Sequence, residues 1–142
     1  MLNESQLLNH IYQTAEMGCD GILSVLKYAD EPKLVSALNH QLDEYQKLQN
    51  SAAALLHARG RTPRGIGAMV KMSTEAMSNM KTMVDHSATK IAEMMIQGST
   101  MGVTKSLRTL RDCELKDERV RDLADKLLKT EEANITEMKQ FL

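Results

Sequence analysis

The hydrophobic positions of this sequence recur at alternating three- and four-residue steps, the spacing of a helix that buries one face. The pattern predicts four long helices, over residues 4–29, 32–58, 86–111 and 117–141. It also predicts a shorter helix over residues 68–84, although the same pattern would allow one continuous helix from 68 to 111. The β-branched and aromatic runs that strands need are missing. We therefore predict an all-α fold.

The connections between the predicted helices indicate how they are arranged. A short turn ending at Pro32 makes the first two helices an antiparallel hairpin, and the polar stretch 112–114 does the same for the last two. Residues 59–85 join the hairpins, which is far longer than neighbouring helix ends require. Helices of this length span about 40 Å, and so long a connection can return the chain to the starting end. Residues 1–142 are thus predicted to form a single four-helix domain with one long crossover.

Composition and charge narrow the function classes. The 142 residues carry 18 basic and 19 acidic side chains, so the chain has no net attraction for phosphate backbones and we expect no nucleic-acid partner. No apolar stretch reads as a signal peptide or membrane span, and two cysteines are too few for a disulfide framework. These features predict a cytoplasmic protein without membrane contact. One basic cluster contains Arg59, Arg61 and Arg64. It is predicted to lie in a solvated loop, and an anion site is the alternative.

Carboxylates that interrupt the apolar faces are the candidate site residues. Counting outward from the two hairpin turns places carboxylates of all four helices near one mid-bundle level. These residues are Glu16, Glu44, Glu93, Glu131 and Glu132, with Gln97 beside them. Such a layer suits a hard cation or a proton shared between carboxyl groups.

This arrangement resembles the ferritin-like superfamily, and within it the small bacterial four-helix proteins of unassigned function. In the di-iron members the first and third helices each give a Glu, and the second and fourth each give a Glu followed three residues later by His. The resemblance implies metal ligands at the five glutamates above, with iron or manganese as the metal. The sequence departs from the pattern, because Lys47, Asn134 and Ile135 stand where the histidines are expected. A di-iron oxidoreductase is therefore disfavoured.

The metal hypothesis has two further ligand candidates and one structural alternative. His40 and His86 are possible accessory ligands, each preceding a candidate glutamate on its helix by one or two turns. The other reading is structural: the carboxylates lie at the edges of the apolar faces, hydrogen-bonded to Tyr12, Tyr45 or Gln41 or reaching water. In that reading the chain is a metal-free structural or interaction bundle.

The 11 methionines are the last unusual feature. Five of them lie at short helical spacing in the predicted crossover helix: Met69, Met72, Met77, Met80 and Met83. Methionine fills irregular gaps and forms adaptable contact surfaces, so this segment is predicted to pack on the bundle, or alternatively to dock a protein partner or a second copy in a homo-oligomer. A copper site with methionine thioether ligands is the third hypothesis for this segment. Gly18 and Gly98 are predicted to lie at one height, where they permit either a close approach of the first and third helices or a contact between subunits.

Overall fold

A computed structural model describes residues 1–66 and 84–142 of the chain. These residues form four helices: α1 Glu4–Leu26, α2 Pro32–Ala58, α3 Ala88–Arg111 and α4 Glu118–Lys139. Between them they hold no β-strand, and one isolated backbone bridge joins Leu2 to Cys113. The all-α prediction is confirmed. The predicted helix over 68–84 and its five methionines lie outside the described residues, except for Val84, which is exposed and not helical.

Local capping interactions fix where the helices begin and end. Asn3 accepts a hydrogen bond from the Gln6 backbone while the Gln6 side chain bonds back, which forms a capping box at the start of α1. Ser87 caps α3 in the same way through the Lys90 backbone. At the end of α2, Gly60 has a φ of +70°, the left-handed conformation that glycine adopts without steric cost after a helix.

Hydrogen bonds between helices establish their directions. The backbone of Leu2 bonds to Asp112 at 2.8 Å, so the start of α1 lies beside the end of α3. Thr89, at the start of α3, donates to the carbonyl of Phe141 just beyond α4. Gln41, early in α2, donates to Glu137, late in α4. Helices α1 and α3 are therefore antiparallel, as are α2 and α4, and α2 and α3 run in the same direction.

The chain between α2 and α3 passes from one end of the bundle to the other. Arg59 lies at the end where α1 and α4 begin, beside Glu4 and Asp117. His86 lies at the opposite end and stacks on Tyr28, with ring centroids 4.3 Å apart. These end points confirm the long crossover, which is the one-crossover arrangement of four-helix bundles.

The core lies between the four helices and is built from aliphatic side chains. Its largest fully buried members come from every helix: Leu7, Leu8, Ile11 and Ile22 of α1, Leu34, Leu38, Leu48 and Leu56 of α2, Ile91 of α3, and Leu127 and Met138 of α4. Apolar burial of this kind is the main force that holds the bundle together. In the described parts of the chain, no helix is both long and apolar enough to cross a membrane.

Candidate functional site

One polar group lies deep within the aliphatic core, at the middle of the bundle. The Tyr45 hydroxyl of α2 donates a 2.7 Å hydrogen bond to Oε2 of Glu131 on α4. The Glu131 side chain is almost fully enclosed, with 2% of its surface exposed. A carboxyl group so far from water is unusual, because burial of a charge requires a compensating partner.

Two glycines create the space for this pair. A Cβ atom on Gly18 of α1 would lie 2.7 Å from the Tyr45 ring, and one on Gly102 of α3 would lie 2.7 Å from Oε1 of Glu131. A side chain at either position would displace the buried pair. Gly18, Tyr45, Glu131 and Gly102 therefore form one layer that includes all four helices. The space around Gly98 is open, so the close approach that was predicted for Gly18 and Gly98 involves Gly18 with Tyr45 instead.

The environment of Glu131 favours the neutral acid. Burial raises the pKa of its carboxyl group to about 7, while hydrogen bonds from Tyr45 and Ser99 act in the opposite direction. Burial and the neighbouring Glu131 also raise the pKa of the Tyr45 phenol, which keeps the phenol a hydrogen-bond donor. The layer holds a proton near neutral pH, in the way that apolar surroundings keep a carboxylic acid neutral.

A second polar contact between α2 and α4 lies one turn along the bundle. Nε2 of Gln41 donates to Oε1 of Glu137 at 2.8 Å. Asn134 lies between Glu131 and Glu137 on α4 and is buried like Gln41. Oε1 of Gln41 and Nδ2 of Asn134 are both enclosed and have no hydrogen-bond partner in the described parts of the chain.

The structure separates the other predicted carboxylates from this layer. Glu44 is bonded to Lys47 and Glu93 to Lys90, each at 3.4 Å on the outer side of its own helix. Glu132 is exposed. Exposed pairs of this kind contribute little to stability.

Glu16 lies on the α1 side of the bundle, against the start of the crossover. Its carboxylate oxygens are 3.6 and 3.7 Å from the position of a Cβ on Gly65, and its Oε2 is buried without a hydrogen-bond partner in the parts that the structure describes. Burial and the nearby Asp20 raise the pKa of Glu16, while the backbone N–H of Ile66 acts in the opposite direction. Burial also raises the pKa of Asp20 itself. Glu16 and Asp20 are thus a half-buried pair of carboxyl groups one helical turn apart.

Within residues 1–66 and 84–142, no three His, Cys, Asp or Glu side chains come together in a group that could hold a metal ion. The accessory positions do not bring ligands to the mid-bundle layer: His40 and Gln97 are exposed, and His86 stacks on Tyr28 at the bundle end. The site that the structure does bring together contains one carboxyl group, Glu131.

His10 and Ser106 form the one His–Ser contact of the described chain whose geometry could suggest nucleophilic catalysis. His10 Nε2 lies 2.9 Å from Ser106 Oγ and 3.4 Å from Thr14 Oγ1. Burial, assisted by Lys105, lowers the pKa of His10 to about 4. An imidazole of such low basicity is a poor general base, and Ser106 is 2% exposed. The contact is therefore a structural link between α1 and α3.

The remaining reactive groups are also engaged in structure. Burial raises the pKa of the Cys19 thiol to about 11, which leaves little of the nucleophilic thiolate. Arg59, part of the predicted basic cluster, bonds to Glu4 at 3.4 Å and to Asp117 at 3.1 Å. It joins the ends of three helices, whereas Arg61 and Arg64 are exposed.

The sequence predicted Tyr45, Gln41 and Glu131 as polar residues in apolar faces, but it did not predict the two polar neighbours of the layer, Asn134 and Ser99. For Asn134, the sequence indicated only that it stands where the di-iron pattern has a histidine. Ser99 had one available signal: with Gly102 and Ser106 it places small residues at three- and four-residue spacing on the core face of α3, where large apolar residues are expected.

The fold and the mid-bundle layer define this chain as an all-α four-helix bundle protein with one long crossover. Its structure is similar to the crystal structure of a DUF305 fragment from Deinococcus radiodurans, with a TM-score of 0.75 and 17% sequence identity. The similarity covers 96% of this chain and 93% of that one. At this identity the two chains share a fold. The sequence matches no protein-family model and no curated protein.

Proposed function

We propose that this chain is a non-catalytic structural or interaction bundle of the ferritin-like superfamily, in which the mid-bundle layer holds a proton and no metal. The parallel direction of α2 and α3 supports the superfamily assignment. The observation that carries the functional proposal is the contact of Tyr45 with Glu131, closed from the α3 side by Gly102.

The geometry of that contact disfavours a metal ion. The Tyr45 hydroxyl proton is directed at Oε2 of Glu131. A cation bound by this carboxyl group would need the same oxygen as a ligand. Hard divalent cations prefer several oxygen ligands and carry a large desolvation cost. Within the described residues, Glu131 belongs to no group of three or more His, Cys, Asp or Glu side chains that could hold a metal ion. A neutral carboxyl group with a hydrogen-bonded phenol is satisfied without any ion.

A metal titration of two variants tests this proposal. Chain purified without chelators is melted with and without Mn(II), Fe(II) or Zn(II), and its metal content is measured by mass spectrometry. Glu131→Gln preserves the shape of the neutral acid, so any metal-induced change in melting temperature is expected to equal that of the unmodified chain. Glu132→Gln, on the adjacent exposed residue, is the matched control. Stoichiometric metal that Glu131→Gln loses and Glu132→Gln retains would refute the proposal.

A second function, cation binding at the surface, is favoured by one specific observation. Oε2 of Glu16 is buried without a hydrogen-bond partner in the described residues, and Asp20 lies one turn further along α1. The raised pKa of both groups is the signature of carboxylates that lack a compensating charge. A divalent cation bound between the Glu16 and Asp20 carboxylates would supply that charge.

Mn(II) binding to paired variants tests the second function. The double variant Glu16→Gln/Asp20→Asn is expected to bind Mn(II) at least roughly tenfold more weakly than the unmodified chain in calorimetric titration, because two charge-bearing oxygen ligands are lost. Asp43→Asn/Glu44→Gln removes the same charge from α2, where Lys47 already pairs with both carboxylates. It should leave the affinity unchanged. Equal affinity in all three proteins would exclude a site at Glu16 and Asp20.

A further inference from the structure

Two buried amide groups lie in the same short stretch between α2 and α4. Hydrogen bonds from Tyr45 to Glu131 and from Gln41 to Glu137 join the two helices one turn apart. On α4, Asn134 lies three residues from each of these glutamates, so its side chain lies between the two contacts. Gln41 and Asn134 are 1% and 5% exposed.

Among residues 1–66 and 84–142, each of these amides has one atom without a hydrogen-bond partner. Gln41 uses Nε2 for Glu137, which leaves the acceptor Oε1 unpaired. On Asn134 the donor Nδ2 has no partner by hydrogen-bond geometry in the described residues. The Tyr45 hydroxyl is its neighbour and can engage one of its two N–H groups, which leaves the other without a partner there. One acceptor on α2 and one donor on α4 are thus buried beside the two hydrogen bonds that join these helices, in a fold where buried polar groups are normally satisfied.

The chemistry of this pair selects the kind of molecule that can bind there. A cation would face the N–H groups of Asn134. An anion would face the carbonyl oxygen of Gln41 and the carboxylate of Glu137. A neutral group that both donates and accepts satisfies the two amides together, and the close packing of the bundle interior admits only a very small one.

We propose that a single water molecule bridges Oε1 of Gln41 and Nδ2 of Asn134 as a permanent part of the core. It donates one proton to Gln41 and accepts one from Asn134. The carboxyl groups of Glu131 and Glu137, on either side along α4, provide the third hydrogen bond that internal waters commonly make. This water site does not depend on whether the bundle binds metal elsewhere.

A double-mutant cycle tests the bridge through stability. Gln41→Met and Asn134→Leu each remove one amide and strand the other, so each single variant is expected to lower the folding equilibrium constant roughly tenfold. The double variant removes both amides and should lose much less than the product of the two single losses. If no bridge exists, Asn134→Leu removes an unpaired donor, leaves stability equal or higher, and combines with Gln41→Met without coupling. That result would overturn the proposal.

Two controls keep the test decisive. Gln41→Met also removes the hydrogen bond to Glu137, so the cycle is repeated in a Glu137→Ala background, where the coupling is expected to persist. Independently of any variant, nuclear Overhauser contacts between water and the Asn134 side-chain amide should appear in the unmodified chain, with one water in the electron density between the two amides. A direct Asn134–Gln41 hydrogen bond in that density would refute the bridge even if the variants do not fold.

Discussion

Two glycines inside α3 differ in whether the packing around them requires a glycine. Glycine costs about 1 kcal/mol relative to alanine in a helix interior, so its presence needs a compensating reason. At Gly102 the reason is Glu131, whose Oε1 would lie 2.7 Å from a Cβ. At Gly98 no atom of a neighbouring element lies within 4 Å of a Cβ, and the packing of the described chain supplies no reason.

Alanine substitutions at these two positions are expected to change stability in opposite directions. Gly102→Ala should lower the free energy of unfolding by about 1–3 kcal/mol, because the added methyl group displaces a buried, hydrogen-bonded carboxyl group. Gly98→Ala should raise it by up to about 1 kcal/mol through helix propensity alone. Urea denaturation at pH 6 measures both. A stable Gly102→Ala variant would show that Glu131 is not held tightly against α3.

At the residue scale, the sequence predicted the unusual carboxylate but not its partners. Glu131 interrupts an apolar face, and that signal is visible without a structure. Ser99 and Asn134 give weaker signals, because short polar residues occur both on exposed faces and in satisfied core positions. Their roles depend on which side chain of another helix lies opposite, and helix periodicity does not contain that information.

At the element scale, helix bounds were predictable where the capping chemistry was strong. Pro32 and Gly60 bracket α2, and its predicted range agrees with the structure. The predicted first helix extends three residues too far, because the backbones of Tyr28 and Ala29 both bond to the Val25 carbonyl in a closing turn. The predicted third helix begins two residues too early, because Ser87 is its N-cap and places the start of α3 at Ala88.

The predicted carboxylate layer shows what helix counting can and cannot supply. Counting from the hairpin turns gives a residue's height along the bundle. It does not give the angle around the helix axis, which changes by about 100° per residue. Glu44 is adjacent to the buried Tyr45, and Glu93 is adjacent to the buried Ala92. Each is one residue away from the core-facing position, and that rotation turns its carboxylate towards the lysines of its own helix.

At the scale of the whole molecule, two buried groups give the bundle opposing responses to pH. The pKa of Glu131 is raised from 4.5 to about 7, so the folded chain retains a proton that the unfolded chain has lost. Its contribution to stability is full below pH 4.5 and is lost as the pH rises to 7. The pKa of His10 is lowered from 6.5 to about 4. Its contribution is full above pH 6.5 and is lost as the pH falls to 4.

Between about pH 4.5 and 6.5 these two contributions have opposite slopes and should nearly cancel. The groups that act on each are separate: Tyr45 and Ser99 for Glu131, and Lys105 for His10. Because the two sites share none of these groups, their effects are expected to add. In the unmodified chain, Glu131 and His10 together are expected to contribute almost no slope in this window, and any remaining fall with rising pH comes from Glu16 and Asp20, whose pKa values are also raised.

Removing either group should expose the slope of the other. In the His10→Gln variant, which keeps a side-chain amide within reach of Ser106, the free energy of unfolding should fall as the pH rises from 4.5 to 6.5. In Glu131→Gln it should rise over the same interval. Each group changes the slope by at most about 1.4 kcal/mol per pH unit, and the double variant should have the same slope as the unmodified chain. Chemical denaturation at four pH values measures all four proteins. If the free energy of unfolding had the same pH dependence in both single variants, the pKa values of His10 and Glu131 would not be shifted as stated. Every other titrating group is present in both variants and cannot make their slopes differ.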